Sequence, residues 1–166
     1  MKKINFLARL FNERKLQLVD PTEEIKQSYL KKSENNLISA KILLENNKLE
    51  ESVSLVYYSM YHMLTALLFK VGIKCENHSA SIILLKELFS IGNSTILFAK
   101  RERVDKQYYT DFHITKQEIV EAIRIAEDFN KGLLDFISKL DNQKIEKYRE
   151  NFKILAGQKN KILFTI

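Results

Sequence analysis

The sequence predicts an all-α protein, an antiparallel helical bundle of about five main helices, and three observations carry that prediction. First, the stretch from Glu50 to His78 has the pattern of one long helix that is apolar on two faces. Val53, Val56, Tyr57, Met60, Leu64, Leu67, Leu68 and Val71 recur at three- and four-residue steps along one stripe. Leu55, Tyr58, His62, Thr65 and Phe69 form a second stripe, so that side must meet either a further helix or a second subunit. Second, only four glycines and one proline occur in 166 residues, which leaves little turn chemistry for a sheet of hairpins, while Lys, Glu, Leu and Ile favour helix. Third, Asp20-Pro21-Thr22-Glu23 and Thr115-Lys116-Gln117-Glu118 both have the form of helix starts.

In chain order, Asn5 to Leu18 suits a short helix with Phe6, Leu7, Leu10 and Phe11 on one face. Asp20 is placed to cap the next helix and Pro21 fits its first position, with Ile25, Tyr29, Leu37, Ala40 and Leu44 facing inward as far as about Asn46. Asn46-Asn47-Lys48 is a tight connection, so this helix and the one ending at Gly72 should pack as an antiparallel hairpin. His78-Ser79 starts a shorter helix to about Phe89, and Ile91-Gly92-Asn93-Ser94 breaks it before a segment that runs to about Tyr109. Thr115 opens a helix to about Leu140 with Ile119, Ile123, Ala126, Phe129, Leu133, Phe136 and Leu140 inward. Beyond Asp141 come a polar helix to about Leu155, then Gly157 and a β-like end.

A chain of this length that is 45% hydrophobic is one domain with a real core. Residues 21–140 make up the bundle, 1–20 a basic N-terminal extension or short helix, and 141–166 a basic C-terminal extension. The net charge of +6 lies at the ends: residues 1–19 carry five basic and one acidic side chain, and residues 141–166 carry six and three. Basic ends suit a phosphate-rich partner, and they equally suit solubilising tails. The single Cys75 excludes an intrachain disulfide, and the apolar runs are short, so a cytoplasmic protein with no membrane partner is expected.

Cys75 and His78 have a metal-like gap, but His62 and His113 supply no matching pair, so no metal is expected and Cys75 is taken as a small buried residue. His78 stands where it can orient a helix start, and His62 where it can hydrogen-bond within the packing. Gly72, Gly92, Gly132 and Gly157 are isolated, which excludes a phosphate-cradling glycine loop or a serine elbow, and no cofactor is implied. What remains is Lys100-Arg101-Glu102-Arg103-Val104-Asp105-Lys106-Gln107-Tyr108-Tyr109. Arg103, Lys106 and Gln107 share a helix face with Lys100 one turn earlier, a basic ridge beside two aromatics that suits single-stranded RNA or a nucleotide. On composition alone the same residues also describe a solvated face, with Glu102 and Asp105 offsetting the charge.

Tyr57-Tyr58-Ser59-Met60-Tyr61-His62, then Ala66-Leu67-Leu68, Gly72-Ile73, Asn77-His78-Ser79, and Arg103 before Tyr108-Tyr109 form an ordered pattern over about Pro21 to Leu140. The pattern resembles the HEPN domain, in particular its small stand-alone archaeal and bacterial members. The resemblance implies a helical bundle that dimerises through its long central helices, with Tyr58, His62, Thr65 and Phe69 at the interface. It also implies a metal-independent endoribonuclease, often a toxin paired with a minimal nucleotidyltransferase, or a non-catalytic member that binds RNA, nucleotides or proteins. Nuclease members carry an Arg, four to six residues, then a His. Here Tyr108 follows Arg103 at that spacing and the histidine is missing, and His113 stands well beyond it. A tyrosine with its ordinary pKa of about 10 is a poor base where imidazole is poised.

The expectation is therefore a HEPN-like protein that binds RNA, a nucleotide or a nucleotidyltransferase partner through Lys100, Arg101, Arg103, Lys106 and Tyr109, within a toxin–antitoxin or defence module and without strong catalysis of its own. Arg103, Tyr108, His62 and His78 are the candidates if the site is catalytic. The alternatives are an endoribonuclease with Arg103 in a composite dimer site, and a structural protein–protein adaptor.

Overall fold

A computed structural model describes residues 2–108 and 114–157 of the chain. Among them the order is α1 (Lys2–Asn12), β1 (Leu16–Leu18), α2 (Glu23–Glu45), α3 (Leu49–Lys70), β2 (Ile73–Cys75), α4 (His78–Glu87), α5 (Ser94–Tyr108), α6 (Lys116–Ser138) and α7 (Asn142–Leu155). The all-α bundle is present, with one small ribbon added to it.

The hairpin of α2 and α3 is the centre of the fold. Its turn needs a left-handed residue, which Asn47 supplies at φ 58°. The seam between the two helices is built of small side chains at seven-residue steps, Ser33 and Ala40 on α2 facing Ser59 and Ser52 on α3, all of them buried. Ser33 Oγ donates to the Ser59 carbonyl at 2.8 Å, Ser59 Oγ to the Ser33 carbonyl at 2.9 Å, and Ser52 Oγ to the Ala40 carbonyl at 2.8 Å. Each hydroxyl thus finds its acceptor on the opposite helix, which removes the cost of burying it. Asn130 of α6 ties in as a third partner, its Nδ2 donating to Ser59 Oγ at 2.8 Å.

Thirteen of the 22 residues of α3 are buried, from Ser52 to Leu68. It is the one described helix long and apolar enough to cross a membrane, and 72% of that apolar window is buried against the protein's own elements. Leu7 and Leu10 of α1 and Phe152 of α7 are buried in the same core as Leu64, Leu67 and Ile137.

Several expectations are corrected here. The Glu50 to His78 stretch is not one helix: α3 ends at Lys70, Gly72 turns at φ 71°, and Ile73–Cys75 pairs antiparallel with Leu16–Leu18 in the register Leu18↔Ile73. The first helix likewise stops at Asn12, because Leu16 to Leu18 is strand. Helix α2 starts after Thr22, not at Pro21, and Ile25, expected inward, is 37% exposed. Lys26 takes the inward place, buried with its ammonium on Glu23. Asn77, not His78, caps α4 by accepting from the Ala80 N–H. Cys75 is half-buried, with Sγ 3.3 Å from the Asn77 carbonyl. The Thr115–Glu118 capping box is present in both directions, and Asp141 caps α7. The β-like end, residues 158–166, lies outside the described residues.

Arg149 of α7 secures the turn after α3. Its Nη1 lies 2.8 to 3.2 Å from the carbonyl oxygens of Val71 and Gly72, just past the end of α3, and of Val19, just past β1. A side chain at position 72 would overlap that guanidinium and the Val19 carbonyl, so only glycine fits.

The seam predicts a clear size dependence. Ser59→Ala should cost about 1 kcal/mol in urea unfolding, the value of a hydrogen bond, whereas Ser59→Leu should cost about 1–3 kcal/mol more by forcing α2 away. Equal effects of the two substitutions would mean that the helices do not approach closely there.

Candidate nucleic-acid interface

With its seam face committed to α2, helix α3 turns the Tyr58, His62 and Phe69 stripe to the side, where it emerges beside α2. Tyr29 of α2 stacks on Phe69 with centroids 5.5 Å apart and rings 10° from parallel, and lies 5.7 Å from His62. Asn36 Nδ2 is 3.0 Å from His62 Nδ1. The second stripe is therefore partly covered within the chain, and Leu55, Tyr58, His62 and Phe69 stay half-buried. Thr65, expected at a subunit interface, is 7% exposed, and its hydroxyl donates to the Tyr61 carbonyl at 2.8 Å.

The turn after β2 brings the first residue of α4 against the same helix. The Tyr57 hydroxyl is 2.8 Å from His78 Nδ1, and the His78 ring stacks on Tyr61 with centroids 3.8 Å apart. From α5, the Arg103 guanidinium sits 4.7 Å above Tyr58 and 5.6 Å from Tyr57, and Lys100 Nζ donates to Ser79 Oγ at 2.7 Å. Arg103 thus leans onto aromatic rings and Lys100 onto the start of α4, unlike a solvated ridge, while Arg101 is exposed. The side chains of Lys106 and Tyr108, and the whole of Tyr109 and His113, lie outside the described residues.

Pattern reading missed Tyr57 and Tyr61 as partners of His78, took Tyr29 only as an inward-facing residue and Ser79 only as part of a helix start, and did not single out Lys32 or Asn36. Lys32 Nζ lies 4.6 Å from the Tyr29 ring and so adds a cation at the α2 side. The seven-residue spacing of Tyr29 and Asn36, matched by that of His62 and Phe69 in the facing helix, was the available signal.

The electrostatics follow from burial among like charges. Burial lowers the pKa of His78, and the neighbouring Lys100 and Arg103 lower it further. His62 is lowered by burial, then by Lys32 and His78. Lys100 is itself lowered, by burial and then by Arg103. The Tyr57 and Tyr61 phenols are pushed up, burial being the main cause, and keep their protons at neutral pH. Among the described residues no carboxylate forms an ion pair with Lys32, Lys100 or Arg103. The patch accordingly joins three cations, two neutral imidazoles and protonated phenols, a set suited to an anion with flat rings attached. No group of three metal-ligating side chains occurs among the described residues. An apolar cavity of about 470 Å³ between α3, α5 and α6, lined by Val53, Met60, Phe98 and Ile125, contains none of these cations or imidazoles.

A pH dependence of stability follows. The unfolded chain takes up protons on His62 and His78 near the ordinary value of about 6.5, before the folded chain does. Their contribution is fully present above that value and is lost as the pH falls through the lowered folded values. The Tm should fall from pH 7.5 to pH 5, and the His62→Gln, His78→Gln double variant should show a shallower fall. An equally steep fall in that variant would assign the dependence elsewhere.

The HEPN domain model matches residues 26–132. A UPF0332 protein of Pyrococcus horikoshii is 39% identical over 109 residues, 63% of this chain and 72% of the relative. A UPF0332 protein of Thermotoga maritima is 28% identical over 129 residues, 71% of this chain and 92% of the relative. A protein of Methanocaldococcus jannaschii, named as a candidate toxin, is 31% identical over 117 residues, 66% of this chain and 86% of the relative. The matched segment contains the α2–α3 hairpin from Lys26 onward, His78 and Arg103 alike, and the chain belongs to the HEPN domain family.

Proposed function

We propose that this protein binds RNA or nucleotide phosphate where Arg103 and Lys100 meet the start of α4, and that it has no strong catalytic activity of its own. The observation that carries the reading is the cluster of Arg103 over Tyr57 and Tyr58, His78 on Tyr61 and Lys100 on Ser79, with no carboxylate ion-paired to either cation among the described residues. A phosphate there would meet a guanidinium, an ammonium and the N–H groups of His78 and Ser79, the first two of α4, Ala80 N–H being already held by Asn77. The Tyr57 phenol keeps its proton, and as a donor to Nδ1 it leaves the His78 proton on Nε2. In that tautomer His78 donates to a ligand and is not a base. Tyr108 at the motif's histidine position does not replace it near neutral pH.

One observation favours a second reading, a metal-independent endoribonuclease: His78 stands beside Arg103 in space although the sequence motif lacks a histidine. With Tyr57 as acceptor in place of donor, Nε2 would be free to take a 2′-hydroxyl proton while Arg103 held the phosphate. Family membership and the name of the Methanocaldococcus relative support a toxin-like role, and we propose a cytoplasmic toxin–antitoxin or defence module with a minimal nucleotidyltransferase as the protein partner. A dimer through Tyr58, His62 and Phe69 would use the surface assigned here to RNA. Sedimentation with and without oligonucleotide separates the two uses.

Arg103→Ala should weaken binding of a labelled single-stranded RNA roughly tenfold and lower the slope of log affinity against log salt by about 1. An unchanged affinity and slope would remove Arg103 from the interface. Purified protein with EDTA should leave RNA intact, and Tyr108→His should introduce cleavage that Arg103→Ala abolishes. Strong cleavage by the wild type that Arg103→Ala removes would establish the second reading.

A further inference from the structure

The ring row continues past the corner that holds Arg103. Tyr58 lies 6.0 Å from His62 with rings 29° from parallel, His62 lies 5.7 Å from Tyr29, and the Lys32 ammonium stands 4.6 Å from Tyr29. A cation thus stands over each end of a three-ring row, Arg103 over Tyr58 and Lys32 over Tyr29. The Tyr29 ring is held in place by its stack on Phe69, and His62 by Asn36. Lys32 adds to the lowering of the His62 pKa just as Lys100 and Arg103 do for His78, so each imidazole has its own cationic neighbour.

We propose, resting on the phosphate reading above, that this row is a groove for a single-stranded oligonucleotide, with a second phosphate-and-base position at Lys32, Tyr29 and His62 on the α2 side. A mononucleotide fills the Arg103 and Lys100 end only. Ring-to-ring steps of about 6 Å are comparable with the step between successive nucleotides of an extended strand, so consecutive bases can follow the rings while their phosphates meet the two cations. A duplex, whose bases are stacked on one another, does not offer its ring faces to the row.

The test is a length series of labelled oligoadenylates, from adenosine monophosphate to the octanucleotide, read by fluorescence anisotropy or by competition. The wild type should gain at least tenfold in affinity between the mononucleotide and the tetranucleotide. Lys32→Ala, an exposed position, and Tyr29→Leu should each reduce tetranucleotide affinity, together about tenfold or more, and leave mononucleotide affinity unchanged. Arg103→Ala should weaken both, and thermal melts check that each variant is folded. Wild-type tetranucleotide affinity in Lys32→Ala, with Arg103→Ala still weakened, would overturn the second position and leave the first standing. Loss of neither would overturn both, and equal affinity for a duplex of the same length would overturn the single-strand assignment.

Discussion

Two helices can share a long seam only as closely as their largest facing side chains allow, and here those side chains are serine and alanine. Ser33 and Ala40 opposite Ser59 and Ser52 let the backbones of α2 and α3 approach, and three hydroxyls are satisfied by carbonyls across the seam. Serine rather than alanine makes the seam directional. A slip by one residue would leave buried hydroxyls unpaired, at about 1–3 kcal/mol each. That register rotates α3 so that Tyr58, His62 and Phe69 emerge beside α2, within reach of Tyr29 and Asn36.

The other half of the site depends on how the chain leaves α3. Gly72 reverses direction, Arg149 satisfies the carbonyls at the turn, and the Leu16–Leu18 and Ile73–Cys75 ribbon fixes where α4 begins. His78 is thereby laid on Tyr61 and against the Tyr57 hydroxyl, beneath the face of α5 that carries Lys100 and Arg103. Magnitudes then decide what Arg103 does. A cation–π contact at a partly exposed site is worth about 0.5–1 kcal/mol, while a hydrogen bond to a charged partner is worth about 1.5–3 kcal/mol. The rings hold the guanidinium in position, and a phosphate can still compete for it.

Helices whose ends are marked locally were legible in the sequence. Thr115 and Glu118 form their box, and Asn46-Asn47-Lys48 turns the hairpin where the pattern places it. The ribbon was not legible, because three-residue strands are too short to show a period of two and their pairing joins Leu16 to Cys75 across the two long helices α2 and α3. Ile25 was placed inward for lack of any signal that Lys26 would bury its stem while keeping its ammonium on Glu23. In the site, Arg103 was found by its spacing to Tyr108, and the aromatic contacts that orient it lie on α3, far away in sequence. Lys32 stood in an ordinary polar stretch. Only packing reveals that it shares a surface with His62.

The central claim is that this cation and imidazole surface receives a nucleic-acid phosphate, and the imidazoles themselves report on it. NMR titration of the His62 and His78 ring protons, with and without a short oligoribonucleotide, follows both groups directly. Free protein should give pKa values below the ordinary histidine value for both rings. An anion bound beside Arg103 and Lys100 offsets the charges that hold His78 down, so its pKa should rise in the complex, that of His62 rising with it if the strand reaches Lys32. Unchanged titration of both rings at saturating oligonucleotide would contradict the claim.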